Sequence, residues 1–223
     1  MRLIKKGALI SALILFTVSA AFPAEKKAEQ SPEMNKAEIL AKTVQKTLTG
    51  ITNIVGQFKQ TSFIKDLEST QEFTGTFYIK KPDNIMWQYK TPRDEKIVIR
   101  GTDTWMYKKL ENQVIHTKFT KDAYTQIPIA LLTGMENIMD DFDISMAEEN
   151  SLQLIPKKRM GFVKALILET SLTNFPVIMF TILDTYGNVI MVELTDVQIN
   201  PGLDDALFQF EIPEGAEVYD LSQ

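Results

Sequence analysis

The chain holds one histidine, His116, and no cysteine. Most nucleophile–base pairings are thereby unavailable to it, because an activated serine or cysteine needs a general base beside it. His116 stands between Ile115 and Thr117 in a strand-like run with no nucleophile motif around it, and is expected to be a solvated strand residue. Asp140, Asp141 and Asp143 are close enough to suggest a cation site, but the glycine and distal glutamate of a calcium loop are missing. A helix-to-strand junction explains them better. The glycines are scattered at turns, so no phosphate-cradling loop is formed. Carboxylates fall mostly in turns, and no motif picks out an acid–base pair. The expectation is a protein with no catalytic residue, no metal site and no cofactor.

Methionine points elsewhere. Met86, Met106, Met135, Met139, Met146, Met160, Met179 and Met191 are spread through the body of the chain. The thioether side chain is flexible and polarizable, and suits a surface that must fit varied apolar shapes. Ordinary core filling accounts for most of them. Met135 and Met139, in an apolar helical run, are the best candidates to line a cavity.

Charge narrows the partners. The formal net charge is −5, and it becomes three units more negative if Met1 to Ala21 are removed with Arg2, Lys5 and Lys6. An acidic protein is repelled by nucleic acid and by anionic lipid surfaces, so neither is expected as a primary partner. Residues 1–21 read as a cleaved signal peptide: a basic start, an apolar run from Ala8 to Phe16, and small residues at Ser19, Ala20 and Ala21. The run is too short for a good membrane span. The expected product is exported and soluble, and without cysteine the core alone must stabilise it.

The elements that would position any site follow from periodicity. Residues 22–34 are expected to be a flexible lead, and 35–223 a single domain. A helix is expected from Asn35 to Leu48, with Ile39, Leu40, Val44, Leu48 and Ile51 near a 3.6 period and Gly50 as its stop. Strands follow around Phe73–Ile79, Ile85–Tyr89, Ile97–Ile99, Trp105–Tyr107 and Val114–Thr117, with turns at Lys81–Asn84, Thr91–Asp94, Gly101–Asp103 and Glu111–Asn112. Close spacing with short turns predicts an antiparallel meander. Lys121 to Asp141 breaks the pattern and predicts one or two short apolar helices, with Pro128 near a start. Strands resume to Ile199, and a last one is expected at Leu207–Ile212, for eleven or twelve in all.

Several strands are apolar on both faces: Ile97-Val98-Ile99, Val177 to Leu183, and Val189 to Val192. An antiparallel sheet with one wet side alternates cleanly. Both faces must therefore be covered, as in a sandwich core, or one must line a dry ligand cavity.

The order and punctuation of these strands resemble the LolA family of periplasmic outer-membrane lipoprotein carriers, from about Val44 to Val218. The residues carrying the likeness are Phe58-Lys59-Gln60 with Gly75-Thr76-Phe77; Lys81-Pro82 with Trp87; Pro92, Ile97-Val98, Gly101 and Trp105-Met106-Tyr107; and Leu207-Phe208-Gln209-Phe210 with Pro213, Gly215 and Val218. The resemblance implies a mainly β protein with helices (α+β): a half-open antiparallel barrel of about eleven strands with a helical lid over an apolar cavity. It implies a monomeric carrier of acylated lipoproteins, loaded by an inner-membrane transporter of the LolCDE type and unloaded at an outer-membrane receptor of the LolB type or an equivalent. The cavity and lid candidates are Phe77, Ile85, Trp87, Ile99, Trp105, Ile129, Leu131, Leu132, Met135, Met139 and Met179. In the family an arginine before the Pro82 position helps hold the lid shut. Lys81 stands there in this chain, able to donate hydrogen bonds but without the planar fork of arginine. The residues Tyr124 to Met139 are the expected lid. A binder of another lipid on the same scaffold, or a lipid-sensing regulator of the RseB type, is the alternative.

Overall fold

The structure, a computed structural model, describes residues 32–125, 127–171 and 175–222. The expected signal peptide (residues 1–21) and residues 22–31 of the expected lead lie outside them.

Chain order and hydrogen bonding build one twelve-stranded sheet in two halves. In the first half, β1 (Asn53–Ile64), β2 (Ser69–Lys80), β3 (Asn84–Thr91), β4 (Glu95–Arg100), β5 (Asp103–Lys108) and β6 (Gln113–Lys118) pair successively and antiparallel. The second half is β7 (Phe142–Glu148), β8 (Ser151–Pro156), β9 (Val163–Thr170), β10 (Val177–Asp184) and β11 (Val189–Ile199). β11 returns to pair with β1 and joins the halves. A short β12 (Glu217–Asp220) adds in parallel to β6. The two edges, β12 and β7, do not pair with each other, so the barrel is half-open as expected.

This topology dictates where the helical residues go. β6 and β7 are consecutive in the chain yet lie near opposite edges of the sheet. The connection between them must therefore cross the open side. It does so through 3₁₀ segments at Lys121–Thr125 and Pro128–Asn137 and one turn of helix, α2 (Ile138–Asp141). The crossing was expected to be helical, and it is mostly 3₁₀. Pro128, which cannot donate a backbone hydrogen bond, opens the longer segment.

The amino-terminal helix α1 (Pro32–Thr49) packs against the same crossing and against β7 and β8. It starts three residues before the expected point. Its buried face combines the expected Val44 and Leu48 with Ala37 and Ala41, and the expected Ile51 is buried just beyond its end; Leu40 is only partly buried, and Ile39 is 61% exposed. Two alanines on that face let the helix axis approach its neighbours closely.

One continuous core fills the concave side of the sheet, and a small second cluster lies on the convex side. The second cluster explains why Ile97, Val98 and Ile99 are all buried. Ile97 and Ile99 face the concave core, while Val98 and Met86 pack on the convex face under Phe208. The expected last strand at Leu207–Ile212 is instead a 3₁₀ turn, Asp205–Phe208, capped where the Asp204 carboxylate accepts the Ala206 N–H at 2.9 Å. That turn sets Phe208 against β3 and β4. Over β10 no such cover lies among the described residues. Ile178 is exposed, and Met179 and Leu183 are half-buried.

Candidate functional site

The concave wall begins with an aromatic cluster on three adjacent strands. Phe58 of β1 stacks on Trp87 of β3 with ring centres 3.5 Å apart. Tyr89 meets the edges of Phe58, Phe73 and Trp87 at 5.5, 5.5 and 5.8 Å. Glycine makes room for this: Gly75 pairs with Phe58 and Gly56 with Phe77 across β1 and β2. A Cβ on Gly75 would fall 2.6 Å from the Phe58 ring, and one on Gly56 would fall 2.8 Å from Phe77. Ile54, Ile79, Ile85, Ile97 and Ile99 continue the wall on one side, and Leu166, Leu168, Phe180, Ile182 and Val192 on the other.

The cover supplies the matching surface. Ile127, Ile129, Ala130, Leu131, Leu132, Met135 and Ile138 are all buried, as are Val44 and Leu48 of α1. The unbroken apolar run Ile127–Leu132 within the crossing is more than one stripe of a surface helix needs.

Of the residues expected at the site, Phe77, Ile85, Trp87 and Ile99 lie on the wall, and Ile129, Leu131, Leu132 and Met135 lie in the cover. Met139 is partly buried against the same core. Trp105 and Met179 do not join them. Strand side chains alternate between faces, and both residues have the outward parity. Trp105 stacks on His116 at 3.8 Å and on Phe210 at 5.4 Å on the convex side. Met179 pairs across strands with Glu169 and Glu193. The inward residue beside Trp105 is Met106.

Lys81 occupies the junction of sheet and cover. Its ammonium donates to the Leu48 carbonyl at 2.6 Å, in the last turn of α1, and its N–H donates to Thr52 O at 2.8 Å. Leu48, Ile51, Leu132 and Thr133 line a small apolar gap around it. A carbonyl at a helix carboxyl terminus has no partner within the helix, so a cation there is well placed.

The opposite end of β3 is polar, which the sequence reading missed. A cavity of about 440 Å³ opens there, lined by Phe73, Ile97, Met106 and Ile190 together with Gln60, Tyr89, Arg93, Glu95, Lys108 and Asp184. Its volume is within the range of about 300–1,000 Å³ usual for small-molecule sites. The Tyr89 hydroxyl donates to Gln60 Oε1 at 3.1 Å, and Gln60 Nε2 donates to Ser62 Oγ at 2.9 Å. Burial pushes the Tyr89 phenol above its ordinary pKa, against the nearby Arg93 charge. The Arg93 guanidinium lies 3.9 Å over the Tyr89 ring and 4.4 Å over Phe73, and it pairs with Glu95 at 3.4 Å. A Pro-Arg-Asp turn gives no sign in sequence that its arginine folds back onto two rings.

His116 is not the solvated residue expected. It is held between Asp103 at 2.9 Å and Asp220 at 3.2 Å, on the convex side and away from the cavity. Among the described residues no group of three or more metal-ligating side chains converges, and no helix is long and apolar enough to cross a membrane.

A half-open antiparallel barrel whose dry, aromatic concave face is roofed by short apolar segments defines a class of fold with an interior suited to an apolar ligand. The chain belongs to one family within that class, the outer membrane lipoprotein carrier protein LolA family, whose model matches residues 49–211. An outer-membrane lipoprotein carrier protein of Shewanella oneidensis is 28% identical over 180 residues, spanning 81% of this chain and 86% of its own. One from Nitrosomonas europaea is 29% identical over 187 residues, spanning 78% and 84%. A solved structure of an uncharacterized conserved protein from Thermus thermophilus matches with a TM-score of 0.52 at 16% identity, over 82% of this chain and 98% of its own. That last likeness concerns the fold alone.

Proposed function

We propose that this protein is a periplasmic, monomeric carrier that takes the acyl chains of lipoproteins between the concave wall and the Tyr124–Met139 cover. In this reading an inner-membrane transporter of the LolCDE type loads it, and an outer-membrane receptor of the LolB type or an equivalent unloads it. The observation that carries the proposal is the roof. A dry sheet face as large as this is closed by 3₁₀ turns and the helices α1 and α2 rather than by a second sheet. Short 3₁₀ runs have poorer hydrogen-bond geometry than α-helix, so moving them costs less.

Reversible carriage needs such a roof. Each buried methylene is worth about 0.8 kcal/mol, so full burial of long acyl chains would hold cargo too tightly to release. Here the interior is already occupied by Ile127, Leu131, Leu132 and Met135. Acyl chains must displace these side chains, and the displaced contacts offset part of the gain.

The test is release of newly made lipoproteins from spheroplasts. Added purified protein is expected to bring them into solution as a one-to-one complex, while a buffer control leaves them on the membrane. No release, or cells depleted of the protein sorting lipoproteins normally, would overturn the reading. Organic extraction and mass spectrometry of the purified protein would then identify another lipid if one is carried.

A further inference from the structure

The cavity at the Arg93 end differs from the rest of the concave interior, because it stands open with the cover in place. Elsewhere Ile127, Leu131, Leu132 and Met135 fill the space above the wall. At this end about 440 Å³ is left, and Thr125 is the cover's one contribution to the lining among the described residues. Phe73, Ile97, Met106 and Ile190 supply its apolar part. A ligand that fits this space enters without displacing the cover.

The charges on the lining say what head group it suits. Glu95 is paired with Arg93 at 3.4 Å, and Arg93 is further held over the Tyr89 and Phe73 rings. The Asp184 carboxylate accepts from the Tyr186 and Asn188 N–H groups and from the Asn188 side chain, so it is occupied within its own turn. Lys108 is different. It stands opposite Glu95 across β4 and β5 and two residues from Met106, so its side chain points to the concave face. It is half-buried, and its ammonium has no hydrogen bond or ion pair among the described residues. A cation partly withdrawn from water beside an apolar surface is incomplete without an anion.

We propose that this cavity binds a single-chain fatty acid, with the carboxylate on the Lys108 ammonium and the chain lying along Met106 and Ile97 toward Ile190 and Phe73. The single free cation favours a carboxylate, which carries one negative charge, over a phosphate monoester, which carries about −2 at pH 7. The ligand is of another class than the lipoprotein cargo proposed above, and the site does not depend on that reading. Lipoprotein uptake moves the cover, whereas this space is formed with the cover closed.

The experiment is isothermal titration calorimetry of the purified protein with laurate and with dodecyltrimethylammonium, below their micellar concentrations and at a pH where laurate is ionised. The two have chains of matching length and heads of opposite charge. The net charge of −5 makes non-specific adsorption favour the cation. The wild type is instead expected to bind laurate at one site, roughly tenfold more tightly than the cation, the range of a hydrogen bond to a charged group. Lys108→Met is expected to lose that preference and Lys108→Glu to reverse it. Equal affinities or a preference for the cation in the wild type, or a preference for laurate kept by Lys108→Glu, would overturn the proposal. The wild-type ratio decides the matter even if the variants fold poorly. Binding of neither ligand would overturn it too, and would leave lipoprotein release from spheroplasts untouched, so the two failures are told apart.

Discussion

Lys81, at the turn between β2 and β3, donates its ammonium to the carbonyl of Leu48 at 2.6 Å, so one residue of that turn holds the last turn of α1. A lysine can do this as a point donor, without the two-pronged geometry of arginine. Replacing Lys81 by methionine keeps the stem and removes the donor. Stability is expected to fall by about 1–3 kcal/mol, since a hydrogen bond to a charged group is lost. Urea unfolding of Lys81→Met checks the size. Hydrogen exchange checks the place: the amides of Lys46 to Thr49 should lose protection before those of β1, and uniform loss would show that Lys81 acts on the sheet instead.

The roof can be locked without competing thiols, because the chain has no cysteine. A cysteine pair joining α1 to Pro128–Asn137, where the two elements touch, is expected to block uptake of acyl chains when oxidised and to restore it on reduction. Equal uptake by both forms would show that cargo enters without movement of this segment.

Met135 and Met179 make a matched pair on opposite faces. Met135 is buried in the roof, whereas Met179 lies on the convex side of β10. Met179→Gln is expected to change stability by no more than about 0.5 kcal/mol and to leave acyl binding intact. Met135→Gln buries an amide without a partner and should cost about 1–3 kcal/mol. Binding titrations of both variants test the assignment, and weakened binding in Met179→Gln would return that residue to the site.

Acid should loosen the carboxyl-terminal strand first. The Asp103 carboxyl is held below its ordinary pKa by hydrogen bonds from Lys118 and then His116, and Asp220 by hydrogen bonds from Ser222, with a smaller part from His116. A depressed carboxylate pKa contributes stability above the unfolded value of about 3.9, and that contribution disappears as pH falls through the lower folded value. Both carboxylates are solvent-accessible, so the effect is local. Hydrogen exchange at Tyr219 and Leu221, compared with β1 amides, is expected to be flat from pH 7 to about pH 4.5 and to speed up only below that. Asp220→Asn should remove much of the difference.

Alternating residues and turn signals placed most of the strands, because a period of two follows directly from the pleat. The run from Val177 to Leu183, apolar at every position but Thr181, could not say which face was covered, since both parities look alike. The same limit misplaced Trp105 and Met179. The inward neighbour, Met106, has no louder signal than the tryptophan beside it.

On its own, then, the sequence determined an acidic, cysteine-free, mostly β chain with an apolar interruption between two meanders, poor in catalytic groups and similar to a carrier family. Those features depend on composition and on neighbours a few residues apart. Tertiary structure alone decided that the interruption roofs the concave face, because β6 and β7 lie near opposite edges of the sheet. It also decided that Lys81 reaches α1 and that Arg93 folds onto Tyr89 and Phe73. Such contacts join residues on separate elements, and their geometry follows from strand register and sheet curvature, which no local pattern encodes.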